Sequence, residues 1–376
     1  MTVKPDLHLI AAPDLRRRSL LRLGMGCAAA TAGIGMTSRT ALAQHDAAAI
    51  APPVQLTSTT LGLSVPTVSN AAVMVAGPAD ARTAQWARRL AIPLGNALRP
   101  GGAIAISTIG GRDGVTGANA FEALSNPDGS TALLVPGAAA LAWLAGDPRV
   151  HFDAGRWMPA LTSFGPAVLL GRTGPQPAAL RVAASTPNGL ELPALLGLSL
   201  LGAAPVPVFG LSDPHDAHAA FLDGRVDAIL LTGVAVPQRV AALSSAQLRP
   251  LFALDTGPRN PALPHVPTLP ELYAANYGRP PAGNLFDAWK ATAAAARLNV
   301  ALVLQPLTPA SLVAQWRRGC SIAIDDPALA NAAQAAQLSA LPAPECVAAL
   351  SAIVAGENTL LTLRRWIASH ADWRRA

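Results

Sequence analysis

The chain has 376 residues, 51% of them hydrophobic and 13% charged, with mean hydropathy +0.34. Its formal charge of +6 is largely an N-terminal matter: six of the 28 bases and two of the 22 acids precede residue 44, leaving +2 beyond it. No Lys/Arg run with interleaved aromatics follows residue 43, which excludes a nucleic-acid footprint, and no later apolar run is long and charge-free enough to span a bilayer, so a soluble mature protein is expected.

Residues 1–43 read as a signal peptide. Arg16-Arg17-Arg18-Ser19-Leu20-Leu21-Arg22 holds a twin-arginine core, a weakly hydrophobic stretch of 14 residues runs from 23 to 36, and Ala41-Leu42-Ala43 is a small-x-small cleavage site before Gln44. That stretch is shorter than the roughly 18–20 residues of a membrane-spanning helix. Gly24-Met25-Gly26 is a poor lipobox for Cys27. The expectation is export to the periplasm by the twin-arginine route, followed by cleavage. About 333 residues remain, enough for two domains with cores of their own.

Residues 44–70, rich in Ala, Thr, Ser and Pro, read as a flexible N-terminal segment. From Ala71 onward strand and helix alternate. Residues 72–75 read as a short buried strand, and 83–98 as a helix with Trp86, Leu90 and Leu94 on one face, ended by Pro100-Gly101-Gly102. A strand over 103–107 leads to the glycine-rich loop Gly110-Gly111-Arg112-Asp113-Gly114-Val115-Thr116-Gly117, which opens into a helix over 118–124. Pro127-Asp128-Gly129 is a turn, 131–135 a strand, 137–144 a helix and 166–170 a strand. A second unit of the same type follows, with strands over 181–184, 206–209, 226–231 and 249–254 and helices over 191–201 and 216–222. Such alternation predicts an α/β protein of two lobes, each a mainly parallel sheet flanked by helices, with a cleft between them.

In open α/β sheets, ligands bind outside the carboxyl ends of the strands, where helix N-termini offer free N–H groups and partial positive charge. Four segments have that position: 78–83, 110–114, 136–138 and 185–189. They supply the candidate ligand-binding residues Ala79, Arg82, Thr83, Gly110, Gly111, Arg112, Gly114, Pro136, Gly137, Ser185, Thr186 and Asn188, joined by Phe209 and Thr232 near the ends of later strands. Any one of these loops is also an ordinary strand–helix connection; their convergence on one cleft favours binding. The glycine loop lacks the spacing of a dinucleotide fingerprint.

No constellation for catalysis stands out. No G-x-S-x-G occurs, and His151, His215, His218, His265 and His370 have no obvious Ser or Cys partner. His215-Asp216-Ala217-His218 reads as a surface helix start in place of a metal site, and Asp325-Asp326-Pro327 as a helix cap. No enzyme activity, metal or cofactor is expected. Cys320 and Cys346 survive maturation; an oxidising compartment permits a disulfide between them, and two buried thiols are the other reading.

Several segments resemble a known family in its own order and spacing. Asn126-Pro127-Asp128-Gly129-Ser130-Thr131-Ala132-Leu133-Leu134 is similar to the family's P-D-G-Y-T-L-L, and Phe221-Leu222-Asp223-Gly224-Arg225-Val226-Asp227 to its L-L-G-G-Q-V-D. Leu248-Arg249-Pro250-Leu251-Phe252-Ala253-Leu254, followed by Arg259-Asn260-Pro261-Ala262-Leu263-Pro264-His265-Val266-Pro267-Thr268, resembles its L-R-A-L-A-V…R-x-P-x-L-P-D-V-P-T. Over roughly residues 71–350 the chain resembles the Bug family, the TctC-like extracytoplasmic solute receptors of tripartite tricarboxylate transporters. The resemblance implies a type II periplasmic binding protein of the Venus flytrap kind, with 71–173 and 273–376 as domain 1 and 174–272 as domain 2. It also implies closure over a small organic acid or amino-acid ligand, which a monomeric receptor presents to membrane permease subunits.

The ligand loops depart from the family. Its P-F-x-A-G-G-x-x-D glycines fall on Arg82 and Thr83, and its G-A-G-G on Gly111-Arg112-Asp113-Gly114. Its V-P-Y-K-G becomes Val206-Pro207-Val208-Phe209-Gly210, and the helix that opens its second domain is cut short between Arg172 and Arg181. Two readings follow. In one, Arg82 and Arg112 make charge-assisted carboxylate contacts at the cleft mouth, a reading that Asp113 complicates, since it either neutralises Arg112 or repels an anion. In the other, the site is degenerate or repurposed and both arginines are solvated. A sensor that signals through a membrane kinase without transport is the alternative function, and an exported cofactor enzyme a third.

Overall fold

The computed structural model describes residues 67–370, apart from 69, 125, 173–178, 234 and 245–247, together with Trp373. The expected leader, nearly all of the 44–70 segment and the shortened connection over 173–178 lie outside the described residues.

The first lobe begins with β1 (Ala72–Ala76), α1 (Arg82–Leu98), β2 (Ala105–Ile109), α2 (Val115–Leu124), β3 (Thr131–Val135) and α3 (Gly137–Ala145). β1 lies between β2 and β3 and is parallel to both. α1 turns Ala84, Ala87, Leu90 and Leu94 inward, the 3–4 spacing of an amphipathic crossover helix. It ends at Arg99, whose extended backbone runs into Pro100-Gly101-Gly102. α3 ends on Gly146 in the left-handed conformation, φ 72°. β4 (Met158–Phe164) follows, and Gly165-Pro166 carries the chain into the second sheet.

That sheet contains β5 (Ala167–Arg172), β6 (Ala179–Ala183), β7 (Ala204–Val208), β8 (Ala228–Thr232) and β9 (Leu248–Ala253), interleaved with α4 (Leu192–Leu200), α5 (Pro214–Leu222) and α6 (Val236–Ser244). The chain returns through α7 (Leu269–Tyr277), α8 (Asn284–Arg297) and β10 (Leu298–Leu304). The first lobe is completed by α9 (Ala310–Ile324), α10 (Pro327–Ala335), β11 (Ser339–Leu341), α11 (Glu345–Ser351) and α12 (Glu357–Ser369). No helix of the described residues is long and apolar enough to cross a membrane.

The two-lobed α/β architecture is as expected, but both sheets are mixed. Their orders are β11-β4-β10-β3-β1-β2 and β7-β6-β8-β5-β9. Pairing is parallel in β2-β1-β3 and β7-β6-β8, and antiparallel in β3-β10-β4-β11 and β8-β5-β9. Strands of the βα repeats run toward the gap between the lobes. β5 and β10 start at the crossovers beside that gap and run away from it, so they enter their sheets antiparallel to β8 and β3. The strand expected over 166–170 at the end of the first unit is therefore the inner strand β5 of the second sheet.

Alternate side chains of each strand feed different cores. Leu134, Leu302 and Leu304 pack with Leu90, Leu94 and Trp316 on one face of the first sheet. Val168, Leu170 and Leu231 pack with Phe221 on one face of the second. Between the sheets a single apolar core runs from Leu133, Val135 and Val303 to Leu169, Val182 and Phe252. Its centre is α8, buried at Ala288, Trp289, Ala291 and 293–296, which packs on α3 and α12 of the first lobe and on α4 of the second. Gly137 shows how close this packing is: a Cβ there would stand 2.0 Å from the Ala295 carbonyl oxygen and 2.6 Å from that of Leu298.

Cys320 and Cys346 are both buried, and the structure holds them as free thiols. The Cys346 thiol donates to the Pro159 carbonyl at 3.7 Å, and burial pushes both thiols up from the ordinary range.

Candidate functional site: the interlobe cleft

A cavity of about 340 Å³ opens where the carboxyl ends of the βα strands of both lobes face each other, within the size range of small-molecule sites. The first lobe contributes Arg82 and Thr83 from the start of α1, Arg112 from the β2–α2 loop, and Pro136 and Gly137 at the start of α3. The second contributes Leu190 and Glu191 before α4, Ser212 and Pro214 before α5, and Thr232 and Gly233 after β8. Arg297 and Asn299, where α8 passes into β10, line the cleft from the crossover. α1 and α3 begin without a side-chain cap and without an acid in the first turn. Their N-terminal dipoles therefore act on the cleft without compensation from their own side chains.

The charges around the cleft differ in how they are matched. Arg112 is ion-paired with Asp80, both side chains well exposed. Arg297 meets Asp255 at 2.8 Å, with side-chain exposures of 20% and 6%. Burial raises the Asp255 carboxyl, the charge of Arg297 opposes that rise, and Asp255 Oδ2 has no hydrogen-bond partner. The same arginine straddles the crossover: the Gly165 N–H donates to the Arg297 carbonyl at 2.9 Å, and Arg297 Nε donates to the Gly165 carbonyl at 3.4 Å. Arg82 is exposed and forms no ion pair or hydrogen bond among the described residues. Its guanidinium crosses to the other lobe, where a Cβ on Gly233 (φ +81°) would come within 2.2 Å of Nη1. The Asn299 Nδ2 group is buried at the cleft without a partner.

Glu191 is the one carboxylate among the described residues that line the cleft. Its Oε2 accepts from the Ser185 N–H at 3.2 Å and from the Ser185 hydroxyl at 2.9 Å. Burial pushes this carboxyl above the ordinary range, and the hydrogen bonds from Ser185 oppose the shift.

No family model and no curated protein matches the chain. Among solved structures, a TctC solute-binding protein from Polaromonas, without ligand, matches with a TM-score of 0.59 at 15% identity, over 80% of this chain and 98% of that one. MatC from Rhodopseudomonas palustris with bound malate matches with a TM-score of 0.52 at 20% identity, over 79% and 98%. The chain has the fold of the TctC-type solute-binding proteins.

On this TctC-type fold the anticipated site residues divide. Arg82, Thr83, Arg112, Pro136, Gly137 and Thr232 line the cleft. Ala79, Gly110, Gly111, Gly114, Ser185, Thr186, Asn188 and Phe209 do not. The Ala79 carbonyl accepts from Arg88 at 3.1 Å. In the glycine loop Gly110 and Gly111 are exposed, whereas Gly114 is buried, and a Cβ on it would stand 2.7 Å from the Pro136 ring. Ser185 is engaged by Glu191. Asn188 lies beside Asp147 of the first lobe, whose carboxyl is held low first by Arg149 and also by Asn188. Asp113 does not neutralise Arg112: its Oδ2 pairs with Arg149 at 2.8 Å and its Oδ1 accepts from the Val115 N–H at 3.2 Å. His215 and His218 sit at the start of α5, behind the cap Asp213.

Glu191, Arg297 and Asn299 were missed. Glu191 falls at the first position of the helix expected over 191–201, directly after a candidate loop, a position that held the signal for it. Arg297 and Asn299 gave none, because the crossover that brings them to the cleft shows only in three dimensions.

Proposed function

We propose that this chain is a divergent TctC-like solute receptor of the periplasm, which closes its two lobes over a small carboxylate-bearing solute and hands it to a membrane permease. One observation carries the reading: Arg82, at the uncapped start of α1, brings a guanidinium without a counter-ion among the described residues into a cleft of small-molecule size. A group of that kind binds a carboxylate through charge-assisted, bidentate hydrogen bonds. The neighbouring Asn299 Nδ2 and the first turn of α3 add donors from the crossover and the first lobe. Among the described residues the lining has no histidine or cysteine, which supports capture over acid–base or nucleophilic chemistry. That MatC holds malate on the same fold agrees with an organic-acid solute. Export by the twin-arginine route and delivery to tripartite-type permease subunits belong to the same reading.

The test is mass spectrometry of small molecules released when the purified protein is denatured, followed by thermal unfolding with each candidate. A carboxylate that co-purifies and raises the melting temperature supports the reading. Folded protein that releases nothing and is stabilised by no organic acid contradicts it.

A further inference from the structure

Among the described residues four charged side chains line the cleft, and two of them bring their own partners: Arg112 comes with Asp80, Arg297 with Asp255. What remains is one cation, Arg82, and one acid, Glu191, presented by opposite lobes. The Ser185–Gly189 loop was expected to offer donors to an anionic ligand from the second lobe. Those of Ser185 are instead spent on Glu191 Oε2, so the protein's own carboxyl occupies that place. Oε1 of Glu191 accepts no hydrogen bond from another described residue. A dianion in this cleft would set one of its carboxylates against Glu191, with Arg82 as the only cation among the described lining residues not already matched. A ligand with a carboxylate at one end and a protonated amine at the other satisfies both walls.

We propose that the solute is an amino-carboxylic acid, whose carboxylate is bound by Arg82 and whose ammonium group is bound by Glu191 Oε1. This inference rests on the receptor reading above and narrows it: Glu191 becomes the residue that selects amine-bearing solutes over plain mono- and dicarboxylates. Ser185 acts through Glu191 as a positioning residue, fixing the carboxyl so that one oxygen stays turned to the ligand.

The experiment is calorimetric titration of the intact protein with three matched panels of two- to six-carbon chains: amino-carboxylic acids (α- and ω-amino), the same monocarboxylates without the amine, and the dicarboxylates. Wild type and Glu191→Gln are compared, with thermal unfolding as the check on folding. The expected result is that an amino-carboxylic acid binds at least about tenfold more tightly than its matched partners, the scale of a charge-assisted hydrogen bond in a half-buried site. Glu191→Gln should erase that preference, and Ser185→Ala should weaken it. Arg82→Gln should lower affinity for amine-bearing and plain acids alike. Tightest binding of a dicarboxylate or a plain monocarboxylate by the wild type overturns this inference and leaves the receptor reading standing. An amine preference that survives Glu191→Gln also overturns it. Binding by none of the panels removes both.

Discussion

At the residue scale, the motifs that carry the family resemblance have structural work in this molecule. Asp227, at the end of the L-L-G-G-Q-V-D-like segment, holds the Arg181 guanidinium with two bonds of 2.9 and 2.8 Å and accepts from the Arg181 N–H at 3.0 Å. Arg181 beside it holds the Asp227 carboxyl below the usual range, against the opposing effect of burial. A carboxyl depressed on folding stabilises the protein above its unfolded pKa, and that contribution is lost as pH falls through the depressed folded value. Asp227→Asn should cost about 2 kcal/mol near neutral pH, the scale of hydrogen bonds to a charged group. Its deficit should shrink as pH drops below the ordinary carboxylate range, as read by urea unfolding. A deficit independent of pH would contradict the assignment. Gly137 tests the packing of α3 on α8: Gly137→Ala has no room for its Cβ against the Ala295 carbonyl and should lose about 3 kcal/mol, the upper scale of overpacking.

At the scale of elements, what the sequence made legible was punctuation and period. Pro127-Asp128-Gly129 was read as a turn, and Asp128 Oδ1 accepts from the Ser130 N–H at 2.8 Å, while the Gly129 carbonyl receives the Trp316 indole N–H at 2.8 Å. The V-P-T segment, Val266-Pro267-Thr268, is one of those that carry the resemblance. In the structure Thr268 caps α7 in a capping box with Glu271, and the Ala253 N–H donates to the Pro267 carbonyl at 2.8 Å. Thr268→Ala should therefore cost about 1 kcal/mol in chemical denaturation and leave ligand affinity unchanged; a loss of affinity would place this segment in the site. The direction of β5 and β10 was not legible, because an apolar run states burial and period but not which way the strand enters its sheet. The glycine loop was legible as a loop, but not which of its side chains lines the cleft. In that loop Gly114 packs against Pro136, while Arg112 is the residue that lines the cleft.

On the scale of the whole molecule, the two sheets share one apolar core through α8, whose buried alanines lie between α3, α4 and α12. In the receptor reading, lobe closure is then a small sliding of packed helices about α8, combined with bending at Gly165-Pro166, in place of free rotation on a thin hinge. Two contacts already reach across the cleft mouth, Arg82 over Gly233 and Asn188 beside Asp147. A ligand that binds the closed arrangement shifts the population toward it only by its differential affinity, and the first such contact available is Arg82. A solute at a hundred times its Kd should add about 2.7 kcal/mol to global stability.

The most direct test is equilibrium calorimetry of wild type and Arg82→Gln with the organic acid that the wild type binds best. Saturable binding at one site, weakened about tenfold or more in Arg82→Gln while both proteins unfold at similar temperatures, is the predicted result. Undiminished affinity in Arg82→Gln would contradict the claim that the interlobe cleft holds the solute by its carboxylate.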